Sequence, residues 1–320
     1  MRVLTGIQPS GRIHIGNYFG AIQPILDYQN RSELFLFLAN YHSLTTSKSK
    51  EELEGFTIQA AIDLLSLGID PEQTTFWVQS QVPQVMELTW ILSQCITVNQ
   101  LQLAHSYKDK VAKGFVPSSG LFFYPVLMAA DILLFNSNRV PVGKDQKQHL
   151  EFARDIASRF HQQYGEVFLI PEPEILEETA VVPGTDGQKM SKSYGNTIAC
   201  FGEEKELRKA VMSILTDSIG VTEPKDPDSS IVFAIHSLFL KREERASLRD
   251  KYMAGNVGYG DLKKSLFECY WEKFRPYRTK RESLQKDIGL VREILEMGRQ
   301  KASSVAQENL SKIKKSIGIL

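Results

Sequence analysis

Short apolar runs alternate with longer amphipathic segments through the first half of the chain. Five runs are predicted to be β-strands: Arg2–Gly6, Glu33–Ala39, Thr75–Gln79, Arg139–Val142 and Val167–Pro171. The second run is apolar at almost every position, which is typical of a strand buried on both faces. Segments of helical period lie between the strands, at about 16–29, 50–67, 84–112, 120–136 and 144–164. This alternation predicts an α/β fold with a doubly wound parallel sheet.

A different pattern begins after a segment rich in Gly, Ser and Lys at about 182–196. From about Glu204 to the end, the hydrophobic period is helical and no convincing strand is present. We therefore expect two domains. The first covers residues 1–198, with a helical insertion at about 84–136 and the Lys-rich loop at about 182–196. The second is an all-helical domain of residues 199–320, whose last helix is long enough to pack back on the first domain.

Composition and charge exclude few classes of function. The chain has 38 Lys and Arg and 38 Asp and Glu among its 320 residues, so only a local patch can attract a polyanion. Residues 271–320 carry 12 basic and 6 acidic side chains, an excess that suits either a nucleic-acid surface or an ordinary solvated helix face. The three cysteines are far apart, which favours reduced thiols in a cytoplasmic protein. No apolar stretch approaches the ~20 residues that span a bilayer, so no membrane association is expected.

The loop after the first predicted strand resembles a phosphate-binding loop that lacks its lysine. Gly11 and Gly16 enclose four residues at the start of a predicted helix, but Asn17 and Tyr18 follow where a P-loop has Lys and Ser or Thr. Gly11 permits a tight turn, Gly16 lets a ligand approach the backbone, and the first amides of the helix are expected to face an anion. From these residues alone, a plain strand-to-helix turn is an equally good interpretation.

A second candidate is the run Gly187-Gln-Lys-Met-Ser-Lys-Ser-Tyr-Gly-Asn196. Its two lysines lie three residues apart between two glycines, so a loop of this kind can close over phosphates and bring two ammonium charges. Taken alone, the run is better interpreted as a solvated linker.

Taken together, the two runs resemble the paired signatures of the class I aminoacyl-tRNA synthetases. Residues 14–17, His-Ile-Gly-Asn, are similar to the HIGH signature, and residues 189–193, Lys-Met-Ser-Lys-Ser, match the KMSKS signature. Segments 6–11, 124–135, 140–150 and 216–218 are similar to the bacterial tryptophanyl-tRNA synthetases, collinearly and over essentially the whole chain. The resemblance implies a Rossmann-type catalytic domain at 1–198 and a helical anticodon-binding domain at 199–320.

The resemblance implies that tryptophan is activated by ATP, with release of pyrophosphate, and is then transferred to the 3′-terminal adenosine of tRNA(Trp). It implies a catalytic role for five residues: Lys189, Lys192, His14, Asn17 and Lys110. It implies an ATP site formed by Gln8, Pro9, Ser10, Gly16, Asn17, Gly143, Lys144, Asp145, Val181, Lys189, Met190, Ser191, Lys192 and Ser193. For Lys110, a solvated helix charge stays open as the alternative. Mg²⁺ is expected to enter with ATP, and no protein-bound zinc or iron–sulfur cluster is expected.

The resemblance also implies a tryptophan site with Asp131 as its specificity residue. A carboxylate in an apolar helix is costly unless it is paired, so a helix cap or a structural ion pair is the alternative. As an acceptor for the indole N–H, Asp131 would bind a donor that tyrosine and phenylalanine do not place there. Tyr124 and Gln146 would hold the α-amino group. The implied pocket wall, for which ordinary core packing is equally compatible, is Leu4, His42, Met128, Ile132, Val140 and Val142.

Three positions depart from the usual pattern of these relatives. His14 stands where threonine is common, Lys144 where an acidic residue is common, and Asn40-Tyr41 where Asp-Gln is common. These three departures bear on the ATP affinity and the pocket geometry that the resemblance implies, and they do not bear on the reaction. A homodimer is expected from the family. Two alternatives stay open at this point: the sister tyrosyl-tRNA synthetase, and a catalytically silent paralogue that binds tryptophan or RNA.

Overall fold

The computed structural model describes residues 1–45, 49–112, 114, 116–143, 146–175 and 182–319. Its sheet has five parallel strands in the order β3-β2-β1-β4-β5. The strands are β1 (Arg2–Ile7), β2 (Glu33–Leu38), β3 (Thr74–Val78), β4 (Arg139–Val142) and β5 (Glu172–Ile175). The predicted doubly wound parallel sheet is therefore confirmed. The chain runs outward from β1 to β3 and returns to the other side of β1 at β4, which creates a topological switch point between β1 and β4.

Helices cover both faces of the sheet and form most of the C-terminal part. Those that precede β5 are α1 (Ile15–Asn17), α2 (Gln23–Gln29), α3 (Asn40–Ser43), α4 (Lys50–Leu67), α5 (Gln84–Leu92), α6 (Val98–Leu101), α7 (His105–Ala112), α8 (Ser119–Leu134) and α9 (Lys147–Tyr164). Those that follow are α10 (Glu204–Met212), α11 (Ile231–Ser237), α12 (Arg242–Ala254), α13 (Tyr259–Lys286) and α14 (Ile288–Ile317). None of the helices in the described ranges is long and apolar enough to cross a membrane.

Burial explains the apolar run of the second predicted strand. Leu34, Leu36 and Leu38 face one hydrophobic cluster, and Phe35 and Phe37 face the other, so both sides of β2 are covered. The helix expected at 50–67 is observed as α4. The Ser49 hydroxyl caps its first turn by accepting from the amide of Glu52, and Gly68 follows its last residue.

The structure differs in detail from two of the expected helices. The helix expected at 16–29 is interrupted by a π-helical turn at Tyr18–Ile22, between α1 and α2. The helical segment expected at 84–112 is divided into α5, α6 and α7, with a 3₁₀ turn at Ser93–Cys95. A capping box, in which Thr97 and Gln100 bond reciprocally, starts α6.

The fifth strand lies four to five residues later than the sequence pattern predicts. Val167–Pro171 is not a strand, because Phe168 instead packs its ring on Phe160, with ring centroids 4.9 Å apart, and donates its amide to His161 Nε2 at 3.0 Å. The ladder with β4 begins where the Glu172 amide donates to the Asn138 carbonyl at 2.9 Å. Strand β5 lies at an edge of the sheet, where the missing N–H of Pro173 is tolerated.

The last helix packs directly on the sheet. Helix α14 crosses β3 so closely that a Cβ at Gly298 would lie 1.8 Å from the carbonyl oxygen of Phe76. Ala302 and Ala306 continue the small-residue contact and are fully buried. The helix thus covers the edge of the sheet at β3 and joins the two hydrophobic clusters.

Replacing Gly298 with Ala should lower the free energy of unfolding by about 3 kcal/mol, because a backbone carbonyl cannot move aside for the new methyl group. Gly55→Ala is the matched control. Gly55 lies on helix α4, and a Cβ there would meet no neighbouring atom within 4 Å. This change should therefore raise the free energy of unfolding by up to about 1 kcal/mol. Denaturant unfolding of the two variants measures the difference, and equal stability of both would show that α14 does not pack this tightly.

Candidate functional site

A cavity of about 840 Å³ opens at the switch point, beyond the carboxyl ends of β1 and β4. This is where ligands bind in doubly wound sheets, and the volume is that of a small-molecule site. All nine residues predicted for tryptophan line its wall: Leu4, His42, Tyr124, Met128, Asp131, Ile132, Val140, Val142 and Gln146. So do six of the residues predicted for the ATP site, together with the predicted catalytic residue His14: Gln8, Gly16, Asn17, Gly143, Lys189 and Met190.

The first signature loop (residues 8–17) is closed on itself by His14 and Asn17. The Asn17 amide donates to His14 Nδ1 at 3.2 Å, and the His14 amide donates to Asn17 Oδ1 at 3.2 Å. His14 therefore caps α1 with its ring. Burial, and to a smaller extent the charge of Lys192, lowers the pKa of His14 to about 4. The imidazole is neutral at pH 7 and serves as a hydrogen-bonding group.

The expectation that the first helix amides face an anion is wrong for two of them. The Ile15 amide donates to the Ile198 carbonyl at 2.9 Å, and the Asn17 amide is taken by the carbonyl and the ring of His14. Helix α1 is only three residues long before the π-helical turn, so it offers little dipole. Side chains can add the positive charge that these two amides do not offer.

Those side chains come from the lysine loop (residues 182–196), which packs directly on the first signature loop. Lys192 Nζ donates to the carbonyl oxygen of Ser10 at 3.0 Å and to its hydroxyl at 3.2 Å. Lys189 lines the cavity. Met190 is buried against Gly16, where a Cβ would lie 3.3 Å from the Met190 Cβ and 2.9 Å from the His14 ring. Gly16 thus permits the two loops to meet, besides allowing a ligand to approach.

Asn196 holds the lysine loop in shape. Its Nδ2 donates to Asp186 Oδ1 at 2.7 Å and to the Lys189 carbonyl at 3.2 Å, while its Oδ1 accepts the Ser191 amide at 2.8 Å. The residue is almost fully buried. These bonds cross the loop from one end to the other, so the backbone that carries both lysines is fixed before any ligand arrives.

Asp131 is a buried carboxylate in the cavity wall, with 2% of its surface exposed. Gln79 Nε2 donates to both carboxylate oxygens, at 2.9 and 2.7 Å, and His42 Nε2 lies 2.9 Å from Oδ2. The Gln79 amide is itself oriented, because its oxygen accepts the Tyr41 amide at 3.0 Å. A carboxylate has about four acceptor positions, so three bonds leave one for a ligand donor.

Tyr124 and Gln146 meet at a third polar residue, His149. The Tyr124 hydroxyl is hydrogen-bonded to His149 Nε2, and His149 Nδ1 lies 3.2 Å from Gln146 Oε1. His149 is buried on α9, so it joins the side chain from α8 to the one at the start of α9. Tyr124 and Gln146 line the cavity, and the buried His149 connects them from behind.

Several predicted residues are placed away from the cavity wall or are not described. Pro9, Ser10, Ser191, Lys192 and Ser193 belong to the two contacting loops but do not line the cavity that the described residues enclose. Lys110 lies on α7, and its side chain is outside the described part. Lys144, Asp145 and Val181 lie outside the described residues.

Sequence reasoning missed Gln79, His149 and Asn196. Gln79 ends the predicted strand Thr75–Gln79, and the carboxyl ends of parallel strands share one edge of the sheet, so a signal for it was present. In the sequence, Asn196 is only the last residue of the lysine loop, and nothing there indicates its hydrogen bonds. His149 had no separate signal, since one histidine on a helix is usually a core residue. The departure at Asn40 also gains an explanation, because its side chain bonds Ser80 at 2.8 and 3.0 Å and fixes α3, which carries His42, beside β3.

Comparison with known proteins supports one family. Residues 1–274 match the family model of tRNA synthetases class I (W and Y). The chain is 51% identical to tryptophan–tRNA ligase of Fusobacterium nucleatum over 320 residues, which cover all of this chain and 98% of that protein. It is 52% identical to tryptophan–tRNA ligase of Campylobacter jejuni over 319 residues, the full length of both. A crystal structure of tryptophanyl-tRNA synthetase from Campylobacter jejuni, complexed with ADP and tryptophan, superposes with a TM-score of 0.95, at 52% identity, and covers 99% of this chain and 100% of that one.

The predicted resemblance is thus confirmed by full-length similarity in both sequence and fold. The paired loops, the switch-point cavity and these relatives lead to one conclusion: the chain belongs to the class I tRNA synthetases of the tryptophan and tyrosine (W and Y) family.

Proposed function

We propose that this chain is a tryptophan–tRNA ligase, which activates L-tryptophan with ATP and transfers the tryptophanyl group to tRNA(Trp). The observation that carries the proposal is the oriented Asp131 carboxylate in a cavity that residues of the first signature loop and of the lysine loop also line. The full-length relatives at about half identity, all named tryptophan–tRNA ligase, favour this activity over the tyrosyl enzyme and over a silent paralogue.

On the amino-acid side, Asp131 is built to accept the indole N–H. Gln79 and His42 occupy three of its acceptor positions and fix its orientation, so the remaining position points at one kind of donor. A buried site that depends on one hydrogen bond rejects analogues that cannot make it, because the polar group is then left unpaired. Tyr124 and Gln146, which His149 connects, would hold the α-amino group.

On the nucleotide side, the first signature loop and the lysine loop would hold ATP between them. The tryptophan carboxylate attacks the α-phosphorus, a P–O bond to it forms, and the bond to the leaving pyrophosphate breaks. Such a transfer needs alignment and neutralisation of charge more than a covalent protein nucleophile. Lys189 in the cavity wall and Lys192 at Ser10 are the cations placed to act on the phosphates.

The metal and the remaining partners rest on the family resemblance. Mg²⁺ would enter with the ATP phosphates, since the described residues contain no cluster of three or more His, Cys, Asp or Glu side chains that fits a metal. The basic surface of α13 and α14 would contact tRNA, and residues 199–320 would form the anticodon-binding domain beside a catalytic domain of residues 1–198. A cytoplasmic location follows from the same resemblance.

A homodimer is supported by exposed apolar side chains in the helical insertion. Trp90 and Met86 lie one helical turn apart on α5, with 72% and 45% of their surfaces exposed. Val98, Leu103 and Phe123 are exposed elsewhere in the same insertion. Large exposed apolar side chains are typical of a protein contact surface, and a second copy of this chain is the partner that the family implies.

The proposed activity is tested by amino-acid-dependent ATP–pyrophosphate exchange with tryptophan, tyrosine and phenylalanine, followed by charging of tRNA(Trp). We expect exchange with tryptophan alone and tryptophanylation of the tRNA. Exchange with tyrosine and not tryptophan would establish the tyrosyl enzyme instead. Binding of tryptophan without exchange or charging would establish the silent paralogue.

Asp131→Asn should lower kcat/KM for tryptophan by about 10- to 100-fold, the loss of a hydrogen bond to a charged acceptor. The KM for ATP should stay within twofold, because Asp131 lies at the amino-acid end of the cavity. Asp155→Asn, the same chemical change at an exposed position of α9, is the control. Unchanged use of tryptophan by the Asp131 variant would remove this residue as the indole partner.

A further inference from the structure

The first signature loop is also joined by backbone hydrogen bonds to the segment that leaves the lysine loop. Residues 13–15 pair with residues 198–200 in an antiparallel bridge centred on His14 and Ala199, and these two segments are called the loop bridge below. Two hydrogen bonds of 2.9 and 2.8 Å close it, from the Ile15 amide to the Ile198 carbonyl and from the Cys200 amide to the Ile13 carbonyl. The register of the bridge decides which residues of the two loops face each other.

The backbone groups of the two central residues point out of the bridge. Because the two bonds join the neighbours of His14 and Ala199, the carbonyls of these two residues face away from the partner segment. The His14 carbonyl accepts the amides of Asn17 and Tyr18, at 2.9 and 3.1 Å, within its own part of the chain. The half-buried Ala199 carbonyl accepts from α13, where the Tyr270 hydroxyl donates to it at 2.7 Å. A carbonyl that is removed from water is costly without a donor, so this hydroxyl stabilises the bridge from outside it.

The direction of the Tyr270 hydroxyl is fixed by the packing of its ring. Only 1% of the residue is exposed, and the ring centroid lies 5.2 Å from that of Phe274, 5.9 Å from that of Phe267 and 6.1 Å from that of Phe239. The same hydroxyl lies 3.4 Å from the Cys200 carbonyl, so it reaches the last two carbonyls of the bridge. A tyrosine held among aromatic rings offers its donor in one position.

One face of α13 contacts the chain on both sides of the bridge. Residues at intervals of three or four positions share this face: Tyr270, Phe274, Tyr277 and Arg281. After the first segment of the bridge, the ring centroids of Phe274 and Tyr18 lie 5.1 Å apart, and the hydroxyls of Tyr277 and Tyr18 lie 3.4 Å apart. After the second segment, the Arg281 guanidinium lies 5.0 Å from the centroid of the Phe201 ring.

Arg281 also joins this face of α13 to α4. Its Nε donates to Oδ1 of Asp63 at 2.7 Å, and Asp63 lies in the middle of α4 with only 1% of its surface exposed. A buried carboxylate is costly without such a partner, so the pair is a specific connection between the two helices. Helix α13 is thereby fixed to a neighbour outside the bridge, and the Tyr270 hydroxyl is a fixed point against which the bridge is held.

We propose that Tyr270 is a positioning residue for tryptophan activation: its hydroxyl holds the loop bridge in register, and the bridge holds His14 and Asn17 beside the lysine loop. The proposal rests on the proposed function, because it assigns Tyr270 to the step that forms the adenylate. Lys192 bonds Ser10 of the first signature loop, so a shift of the bridge would move the lysine against the loop that it contacts. A displacement of about 1 Å in such a site can cost about 100-fold in rate, because the reacting groups lose their alignment.

The experiment is single-turnover formation of tryptophanyl-adenylate by the full-length Tyr270→Phe variant, measured beside the Kd for tryptophan. This change removes one hydroxyl and keeps the ring, so the aromatic packing around it is retained and the variant folds. We expect adenylate formation to slow by about 10-fold, because the bridge loses a hydrogen bond and the two loops lose part of their alignment. The Kd for tryptophan should change by less than about twofold, because the bridge carries none of the residues proposed to bind tryptophan.

Tyr252→Phe is the matched control. Tyr252 is also fully buried, and its hydroxyl accepts a hydrogen bond from Ser230 Oγ at 3.5 Å, away from the loop bridge. Both variants lose a buried hydroxyl, so both should unfold at a somewhat lower temperature, which circular dichroism and thermal unfolding measure. Only Tyr270→Phe should slow adenylate formation, since a purely structural hydroxyl lowers stability without changing the rate of the folded enzyme.

A double-mutant cycle with Lys192→Ala tests whether the hydroxyl acts through the contact between the two loops. Added to Lys192→Ala, the Tyr270→Phe change should slow adenylate formation by less than about threefold, because the lysine whose position depends on the bridge is already missing. Added to Asp131→Asn, the same change should still slow the step by about 10-fold, because Asp131 lies outside the two loops and the effects should add.

An unchanged rate in Tyr270→Phe, an equal slowing by Tyr252→Phe, or full additivity with Lys192→Ala would overturn the positioning role and leave the proposed function intact. A wild-type chain that forms no tryptophanyl-adenylate would overturn the proposed function itself, and the positioning role with it. A slowing that is specific to Tyr270 and largely absent in the Lys192→Ala background would establish the positioning role.

Discussion

The contact between two loops that lie 182 residues apart is the constraint on which the site depends. The first signature loop has the shape of a phosphate cradle but neither a lysine nor a useful helix dipole. Its amides at Ile15 and Asn17 already have protein acceptors, so these two backbone donors do not supply positive charge. The ammonium of Lys192, which comes from a different part of the chain, lies at Ser10 of this loop. Gly16 and the buried Met190 pack against each other where the same two loops meet.

The topology of the sheet explains why such distant residues meet. The switch point between β1 and β4 leaves a crevice in which two strand ends diverge, and this is where the cavity opens. The lysine loop follows β5, and its next segment bonds back to the first signature loop through Ile15 and Cys200. The site is therefore assembled from residues near the start and residues near the end of the segment 1–198. Helix α13 reaches the same place from the C-terminal part through Tyr270 and Arg281.

The sequence predicts most of the fold because its signals are local. Four of the five predicted strands match, and the apolar run of β2 announces its two-sided burial. The fifth is misplaced because Phe168, apolar like a strand residue, packs on Phe160 instead, and the actual strand Glu172–Ile175 contains Pro173 and two glutamates. Such a sequence forms a strand only because an edge position is available beside β4.

The sequence predicts best those site residues whose type is unusual for their surroundings in the chain. Asp131 is conspicuous as a carboxylate among apolar neighbours, and the two lysines are conspicuous in a short Gly-bounded run. Gln79, Asn196 and Asp63 are not, because their importance lies in the partner each meets across the fold. Asp63 is the clearest case, since a helix of mixed polarity gives no indication that Arg281 will cover its carboxylate.

We propose that Lys192 supplies positive charge to the reacting phosphates and does not contribute to tryptophan binding. The decisive measurement for Lys192→Ala is single-turnover formation of tryptophanyl-adenylate beside the Kd for tryptophan. We expect adenylate formation to slow by about 100-fold or more, as when a transition-state contact is removed, while the Kd changes less than twofold. Lys205→Ala, which removes an exposed lysine on α10, should change neither. Equal losses in the rate and in tryptophan affinity would show that Lys192 does not have this role.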